Sequence, residues 1–262
     1  TIALPKKPKN KAFKGYNFFE ASSMRKINSR YYFIYSPFPA GRRLCYAISQ
    51  YPDRDFEFGG VIHDNSGYGY QGDETKYYPA GNNHGSIVCI KGQYYIFGHR
   101  HTNATAYSRQ GVAEPITIGS DGSIMQVEMT SCGLNGGPLK GEGEYPAYIA
   151  CCLVGKKGQP KLFPNKNKPF PYMTQDGEDR EDSPNQHIAH MLNGAAAGYK
   201  YFDFVSINQI SVKTRGSAKG KLIFSHSLRG EPIGKVSVFP TSEKADFSGN
   251  INITNGIKAL YF

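Results

Sequence analysis

Phe18-Phe19-Glu20-Ala21-Ser22-Ser23 places a carboxyl directly after two phenylalanines. An apolar setting disfavours the ionised form of a carboxylic acid, so Glu20 there can keep a proton and deliver it as a general acid. Read alone, the same pattern also describes a half-exposed strand residue. His84 stands in Asn82-Asn83-His84-Gly85, and His99 and His101 are two apart in His99-Arg100-His101. Alternate side chains of a strand share a face, so that pair could hold a metal or simply hydrogen-bond. Arg109 precedes a Gly turn and reads equally as a surface arginine. Glu114, before Pro115, and Glu128, between Val127 and Met129, are further carboxylates. Nothing in their spacing ties them to Glu20, and both read as structural. The acidic run Asp176-Gly-Glu-Asp-Arg-Glu-Asp182 misses the Asp-x-Asp-x-Asp-Gly spacing of a calcium loop and reads as solvated linker charge.

The elements that must position these groups are strands. Arg30 to Ser36, Arg43 to Ser49, Ser86 to Ile90 and Gln93 to Phe97 are short runs rich in aromatic and β-branched residues, bounded by Gly, Pro, Asn or Ser. Ile116 to Ile118 and Ile124 to Met129 flank Asp121-Gly122, the pattern of a hairpin, with Glu128 in one slot of its second strand. A weak repeat relates the stretch from Met24 to the stretch from Ile87: a strand, a two-residue turn (Asn28-Ser29, Lys91-Gly92) and a Tyr-Tyr strand. An antiparallel unit repeated in this way matches a propeller blade or a sandwich hairpin. Helical signals are thin, and the only candidate is Asn185 to Leu192, stopped by Asn193-Gly194. From about Phe202, alternating strands separated by Arg215-Gly216 and Arg229-Gly230 turns have the texture of a β-sandwich. The strand pattern lapses within Gly155 to Pro184, where Pro, Lys, Asn and Asp accumulate, so a boundary is expected there.

The chain has 262 residues, a formal net charge of +10, 13% aromatic residues and no Trp. The charge excess is local, in Lys6, Lys7, Lys9, Lys11 and Lys14 and in Lys156, Lys157, Lys161, Lys166 and Lys168. Both clusters read as solvated loops, and no nucleic-acid motif accompanies them. No apolar run has the length of a membrane span and no signal peptide precedes Thr1. The missing initiator Met leads us to expect that the natural N-terminus lies upstream. Five cysteines, none in a C-x-x-C pair, lean weakly towards a reducing compartment and do not fix the localisation. Cys45 and Cys89, inside apolar runs, read as small hydrophobes.

Several of these segments together resemble glycoside hydrolase family 43: Phe18 to Tyr35, Leu44 to Ala47, Gly81 to Ser86, Gln93 to Phe97, Ser108 to Gln110, Ala113 to Ile116, Gln126 to Glu128, and Thr130 to Leu139. The likeness is dense from Ala3 to Leu153. It implies an all-β chain: the last blades of a five-bladed β-propeller (residues 1–153), a linker (154–184) and a carbohydrate-binding, jelly-roll-like β-sandwich (185–262). The last part resembles a family 6 binding module through Ile188 to Met191, Asn193 to Ala195, Gly198 to Phe202 and Val212 to Gly216. By the same resemblance the activity is inverting hydrolysis of arabinofuranosyl or xylosyl linkages in plant hemicellulose. Glu20 would be the general acid, Arg109 and His99 would contact the sugar, and His84 would face the propeller axis near a structural Ca2+. No organic cofactor and no membrane or nucleic-acid partner is implied. The partner aspartates of such a mechanism are expected upstream of Thr1, which would leave this chain alone inactive. Tyr199, Tyr201 and Phe202 are candidates for stacking on sugar, though at least one of those rings must serve the core. The strand at Ala259 to Phe262 suggests that the sandwich is cut short. The alternative is a non-catalytic carbohydrate-binding protein on the same scaffold.

Overall fold

The computed structural model describes residues 13, 15–39, 41–159, 170–178 and 185–262. Lys6, Lys7, Lys9, Lys11, Lys14, Lys161, Lys166 and Lys168 lie outside these residues, as does most of the acidic run after Glu178. The described chain is all-β. Helix is confined to short 3-10 turns at Tyr70–Gly72, Gly133–Asn135 and Ala147–Ile149, and no described helix is long and apolar enough to cross a membrane.

The first sheet is a four-stranded antiparallel meander of β1 (Asn17–Ile27), β2 (Arg30–Phe38), β3 (Arg43–Ser49) and β4 (Glu57–Asp64). A second sheet follows with β5 (Ser86–Ile90), β6 (Gln93–His101) and β7 (Arg109–Ile116). The repeat therefore folds as expected: both copies are hairpins that open a sheet, and Asn28 and Lys91 occupy the same turn position with φ of 54° and 50°. The leading strands of the two sheets also meet. Ser23 Oγ lies 2.8 Å from Ser86 Oγ, and Arg25 Nε donates to the Ile87 carbonyl at 3.0 Å.

Strand alternation divides β2 and β3 between two cores. Tyr32, Ile34, Leu44 and Tyr46 point to the second sheet and pack with Ile87, Ile96 and Ile116. Phe33, Tyr35, Cys45 and Ala47 point the other way and pack with Phe13, Phe56 and Phe58. Each fully buried aliphatic side chain here contributes roughly 1.5–3 kcal/mol. The expected hairpin around Asp121-Gly122 shrinks to a single bridge, Ile118 to Ile124. After that bridge Ile124 Nα–H donates to the Tyr46 hydroxyl and Val127 Nα–H to the Ile62 carbonyl, so tertiary partners take the donors that a ladder would have used.

The second half centres on β12 (Ala196–Phe204). Two short upstream strands pair with it, β8 (Leu139–Lys140) in parallel and β9 (Cys152–Val154) antiparallel. This pairing carries residues 139–153, expected with the first body, into the sheet of the second. Their register was not readable because both strands are very short and their partner lies far along the chain. Between them in sequence and β12 come β10 (Tyr172–Asp176) and β11 (Asn185–Ala189), which pair with each other. The expected helix at Asn185 to Leu192 is thus a strand: β10 supplies a ladder, and propensity yields to it. The remaining strands are β13 (Gln209–Gly216), β14 (Gly220–Phe224), β15 (Gly234–Val238), β16 (Thr241–Asn250) and β17 (Gly256–Tyr261). β17 joins β12, while β13 pairs with β16 and β14 with β15. A core of Leu153, Met173, Tyr199, Phe202, Phe224 and Val236 lies between these ladders.

All five cysteines are free; Cys45, Cys151 and Cys152 are buried, but Cys89 is exposed and does not serve as the small core hydrophobe expected.

Polar bonds stitch the halves together. Arg100, 3% exposed, donates to the Tyr148 carbonyl at 2.5 Å and to the Ala150 carbonyl, with its guanidinium 4.7 Å above the Tyr78 ring. Leu153 Nα–H donates to the Tyr77 carbonyl at 2.7 Å.

Where the loop after β4 returns to β5, the backbones come very close. A Cβ on Gly85 would stand 1.7 Å from the Phe97 carbonyl oxygen and 2.9 Å from Leu44 Cδ1. Gly85→Ala is expected to cost about 1–3 kcal/mol, read as a lower urea midpoint at unchanged m. An unchanged midpoint would show that β5 and β6 can part at that point without loss.

Candidate active site

Glu20 lies near the start of β1, opposite Ser36 of β2. The register slips on both sides of it, between Phe18 and Glu20 and between Glu20 and Ser23, and Ala21 sits at φ +59°. A bulge of this kind bends a strand and re-aims its side chains, and a left-handed alanine is an unusual conformation that surrounding contacts must hold. The carboxylate is aimed at His84, with Oε1 3.1 Å from Nε2, and both side chains remain close to two-fifths exposed. The two phenylalanines do not close over Glu20, contrary to the apolar setting expected: Phe18 is 41% and Phe19 54% exposed. Phe18 packs towards Phe33 and Tyr35, and Phe19 towards Phe38. The distinguishing feature of the Glu20 site is therefore its imidazole partner.

Asn83 determines where that imidazole stands. Fully buried, it donates from Nδ2 to the Arg42 carbonyl at 3.1 Å and to His63 Nδ1 at 2.9 Å, and its Oδ1 accepts from His99 Nα–H at 3.1 Å. Its own backbone carbonyl accepts from the Ser36 hydroxyl, and its Nα–H donates to the Gly41 carbonyl. Asn65, also fully buried, donates from Nδ2 to the carbonyls of Asn82 and His99 at 2.9 Å each. Two amides thus pin the segment Asn82 to His84 against both sheets. Asp64, buried beside them, accepts from Arg42 Nε at 3.0 Å and from the Ser66 hydroxyl at 2.6 Å.

The histidines form a row. The His99 ring stands edge-on to His84 at 5.0 Å and to His101 at 5.8 Å. Burial pushes the His99 imidazole down to about 3, reinforced by the positive potential of His84, Arg109 and His101, so it is neutral at ordinary pH. Burial likewise takes His63 down to about 4. As an acceptor from Asn83 at Nδ1, neutral His63 carries its proton on Nε2. His101 is lowered too, first by burial, while Nδ1 lies 3.2 Å from the Thr105 carbonyl oxygen. Arg109 is exposed on β7, in register with His101. Glu20, His84, His99 and Arg109 therefore gather at one end of the two sheets. Among the described residues, no group of three or more His, Cys, Asp or Glu side chains is arranged to hold a metal ion.

The other carboxylates are engaged elsewhere. Glu128 accepts from Lys200 Nζ and from the Tyr201 hydroxyl, both at 2.8 Å. Glu114, 2% exposed, accepts from Thr130 Nα–H at 2.5 Å and from its hydroxyl at 2.7 Å. Asp176 pairs with Arg215 and accepts from Asn185 Nδ2 at 3.1 Å. Of the three candidate stacking rings, Tyr199 and Phe202 belong to the core, and Tyr201 is tied through its hydroxyl to Glu128. Sequence reasoning gave no role to Asn83, Asn65, His63 or Ser36. For Ser36, His63 and Asn65 the available signal was their position, as polar residues within or just after apolar runs, and for Asn83 its place in Asn82-Asn83-His84-Gly85.

No protein-family profile matches the chain. It is 46% identical over 271 aligned residues to a xylosidase/arabinosidase of Thermoclostridium stercorarium, covering 100% of this chain and 56% of that protein. It is 33% identical over 115 residues to a β-xylosidase of Xylanibacter ruminicola, covering 43% of this chain and 32% of that one. Among solved structures, a glycoside hydrolase family 43 arabinoxylan arabinofuranohydrolase from Bacillus subtilis, in complex with cellotetraose, matches 94% of this chain and 50% of its own length. That match has 20% identity and a TM-score of 0.49. The chain thus spans little more than half the length of the first relative and a third of the second. The alignment with the Thermoclostridium xylosidase/arabinosidase runs over the whole chain.

Burial raises the Glu114 carboxyl to about 7 against the donors on Thr130, which pull it down. The folded state then holds a proton that the unfolded chain has already released. Stability from this group is complete below the unfolded value of 4.5 and is lost as pH rises through about 7. Glu114→Gln is expected to flatten the fall in melting temperature between these limits, a span worth at most about 3 kcal/mol. Melting curves recorded across that range decide it; the same slope in the variant would place the titration elsewhere.

Proposed function

We propose that this chain belongs to an inverting family 43 glycosidase acting on arabinofuranosyl or xylosyl linkages of plant hemicellulose such as arabinoxylan, with Glu20 as general acid. The observation that carries the reading is the Glu20 carboxyl, turned by a bulge onto His84 and still open to solvent. In this reaction Glu20 passes its proton to the glycosidic oxygen as the bond to the anomeric carbon breaks. A water on the opposite face of the sugar adds to that carbon and loses a proton to a second carboxylate. Glu114, Glu128 and Asp64 are each committed to other partners, so we assign the base to a part of the enzyme outside this chain. His84 acts as a positioning residue that holds the acid's rotamer. His99 and Arg109 stand where they could meet the sugar, and any Ca2+ would be structural.

The same reading assigns the β1–β4 and β5–β7 sheets to two blades of a propeller. Support comes from the repeated hairpins, the contact between their leading strands and the two-faced burial of β2 and β3. It assigns the ladders around β12 to a carbohydrate-binding sandwich, which begins earlier in the chain than its strand texture suggested.

In the intact enzyme, Glu20→Gln is expected to lower hydrolysis of arabinoxylan oligosaccharides by about 10²–10⁴-fold. It should lower hydrolysis of a dinitrophenyl arabinoside or xyloside far less, because that leaving group departs without a proton. Equal loss on both substrates would make Glu20 structural, and no loss would remove it from the reaction. Arabinoxylan binding without turnover by the unaltered enzyme would favour a non-catalytic binding protein.

A further inference from the structure

A cavity of about 430 Å³ lies between the loop after β4 and strand β12, lined by none of Glu20, His84, His99 or Arg109. Its volume falls in the range of small-molecule sites, roughly 300–1,000 Å³. The loop is shaped to present side chains: Gly67, Gly69, Gln71 and Gly72 all have positive φ, and Gly69 Nα–H closes the turn onto the Asp73 carbonyl at 2.7 Å. Tyr70 and Gln71 come from this turn, and Tyr77 and Tyr201 complete an aromatic lining.

The polar groups of the cavity hold one another in place. Glu128 binds both Lys200 Nζ and the Tyr201 hydroxyl at 2.8 Å, and Lys200 Nζ also lies 5.1 Å from the Tyr77 ring centroid. Asp73 accepts from the Tyr77 hydroxyl at 2.6 Å and from Thr75 Nα–H at 2.8 Å. These hydrogen bonds, led by that from Tyr77, hold the Asp73 carboxyl below its usual range, so it is charged at neutral pH. The cavity's charged residues are then two carboxylates and one ammonium, leaving one net negative charge. Phosphate or a carboxylate ligand is disfavoured there. Rings that offer apolar faces, next to fixed carboxylates and an amide that can hold neighbouring hydroxyls, suit a neutral polyol ring.

We propose that this cavity is a saccharide-binding site, separate from the Glu20 site, that takes a short neutral oligosaccharide. The loop that carries Tyr70 and Gln71 leaves the sheet at Asp64, opposite Arg43 and at the end of the meander where β1 begins. That loop therefore starts at the same end of the sheet as Glu20. The assignment stands on the cavity's own groups and does not require hydrolysis at Glu20.

Xylotriose titrated into the Glu20→Gln protein, followed by calorimetry and by NMR, tests it. Saturable binding is expected, weakened at least tenfold by Tyr70→Ala and again by Gln71→Ala. Both substitutions lie in a surface turn, and circular dichroism and melting temperature should stay unchanged. Inorganic phosphate should not compete. Three outcomes would overturn the proposal: no saturable binding, binding indifferent to Tyr70→Ala and Gln71→Ala but lost in His84→Ala, or displacement by phosphate. Because hydrolysis is not measured, failure here leaves the reading of Glu20 standing, and failure of that reading leaves this one standing.

Discussion

The buried amide of Asn83 is the constraint on which the rest of the first half depends. Its side chain spends both amide protons and its carbonyl oxygen on groups from three places: the Arg42 carbonyl before β3, His63 on β4 and the His99 backbone on β6. An amide with no access to water and every hydrogen-bonding group engaged admits essentially one arrangement of its surroundings. His84 is the next residue, so the placement of its ring relative to Glu20 is a consequence of that arrangement. Gly98 completes the fit, since a Cβ there would stand 2.8 Å from Asn83 Oδ1.

Charge is distributed with the same economy. Burial lowers His63, His99 and His101 alike, so these imidazoles add polar groups to the site without adding buried cations. The formal charges that are buried come with partners: Asp64 with Arg42 and Arg43, Arg100 with backbone carbonyls and the face of Tyr78. A buried charge that lost its partner would cost several kcal/mol, which explains why these groups sit at seams between sheets, where two chain segments can each supply part of the partner set. Arg100 marks the seam between the halves of the chain, and Glu128 with Lys200 spans the other side of it.

The legibility of the fold followed sequence distance. Each hairpin of the repeat was readable because its signals are local: β-rich runs separated by a two-residue turn that accepts positive φ. β3 and β5 have the bounds their composition suggested. β8, β9 and β11 were not readable as they stand. They are short, and each is a strand because a partner offers a ladder, for β8 and β9 one that begins more than forty residues downstream. The segment from Ile124 to Met129 failed in the opposite direction, with alternation present in the sequence but the backbone donors taken by Tyr46 and Ile62.

For the site, residue types and local motifs alone determined that Glu20, His84, His99 and Arg109 were the groups worth following, because acid, imidazole and guanidinium chemistry belongs to a side chain wherever it is placed. Only the tertiary structure decided what surrounds them. The phenylalanines beside Glu20 turn to their own packing partners, and the group that reaches its carboxylate comes from 64 residues further along the chain. The reason is geometric. A strand bulge and an amide buried between two sheets set directions in space, and those directions depend on backbone approaches such as that of Gly85 to Phe97, which no local pattern encodes.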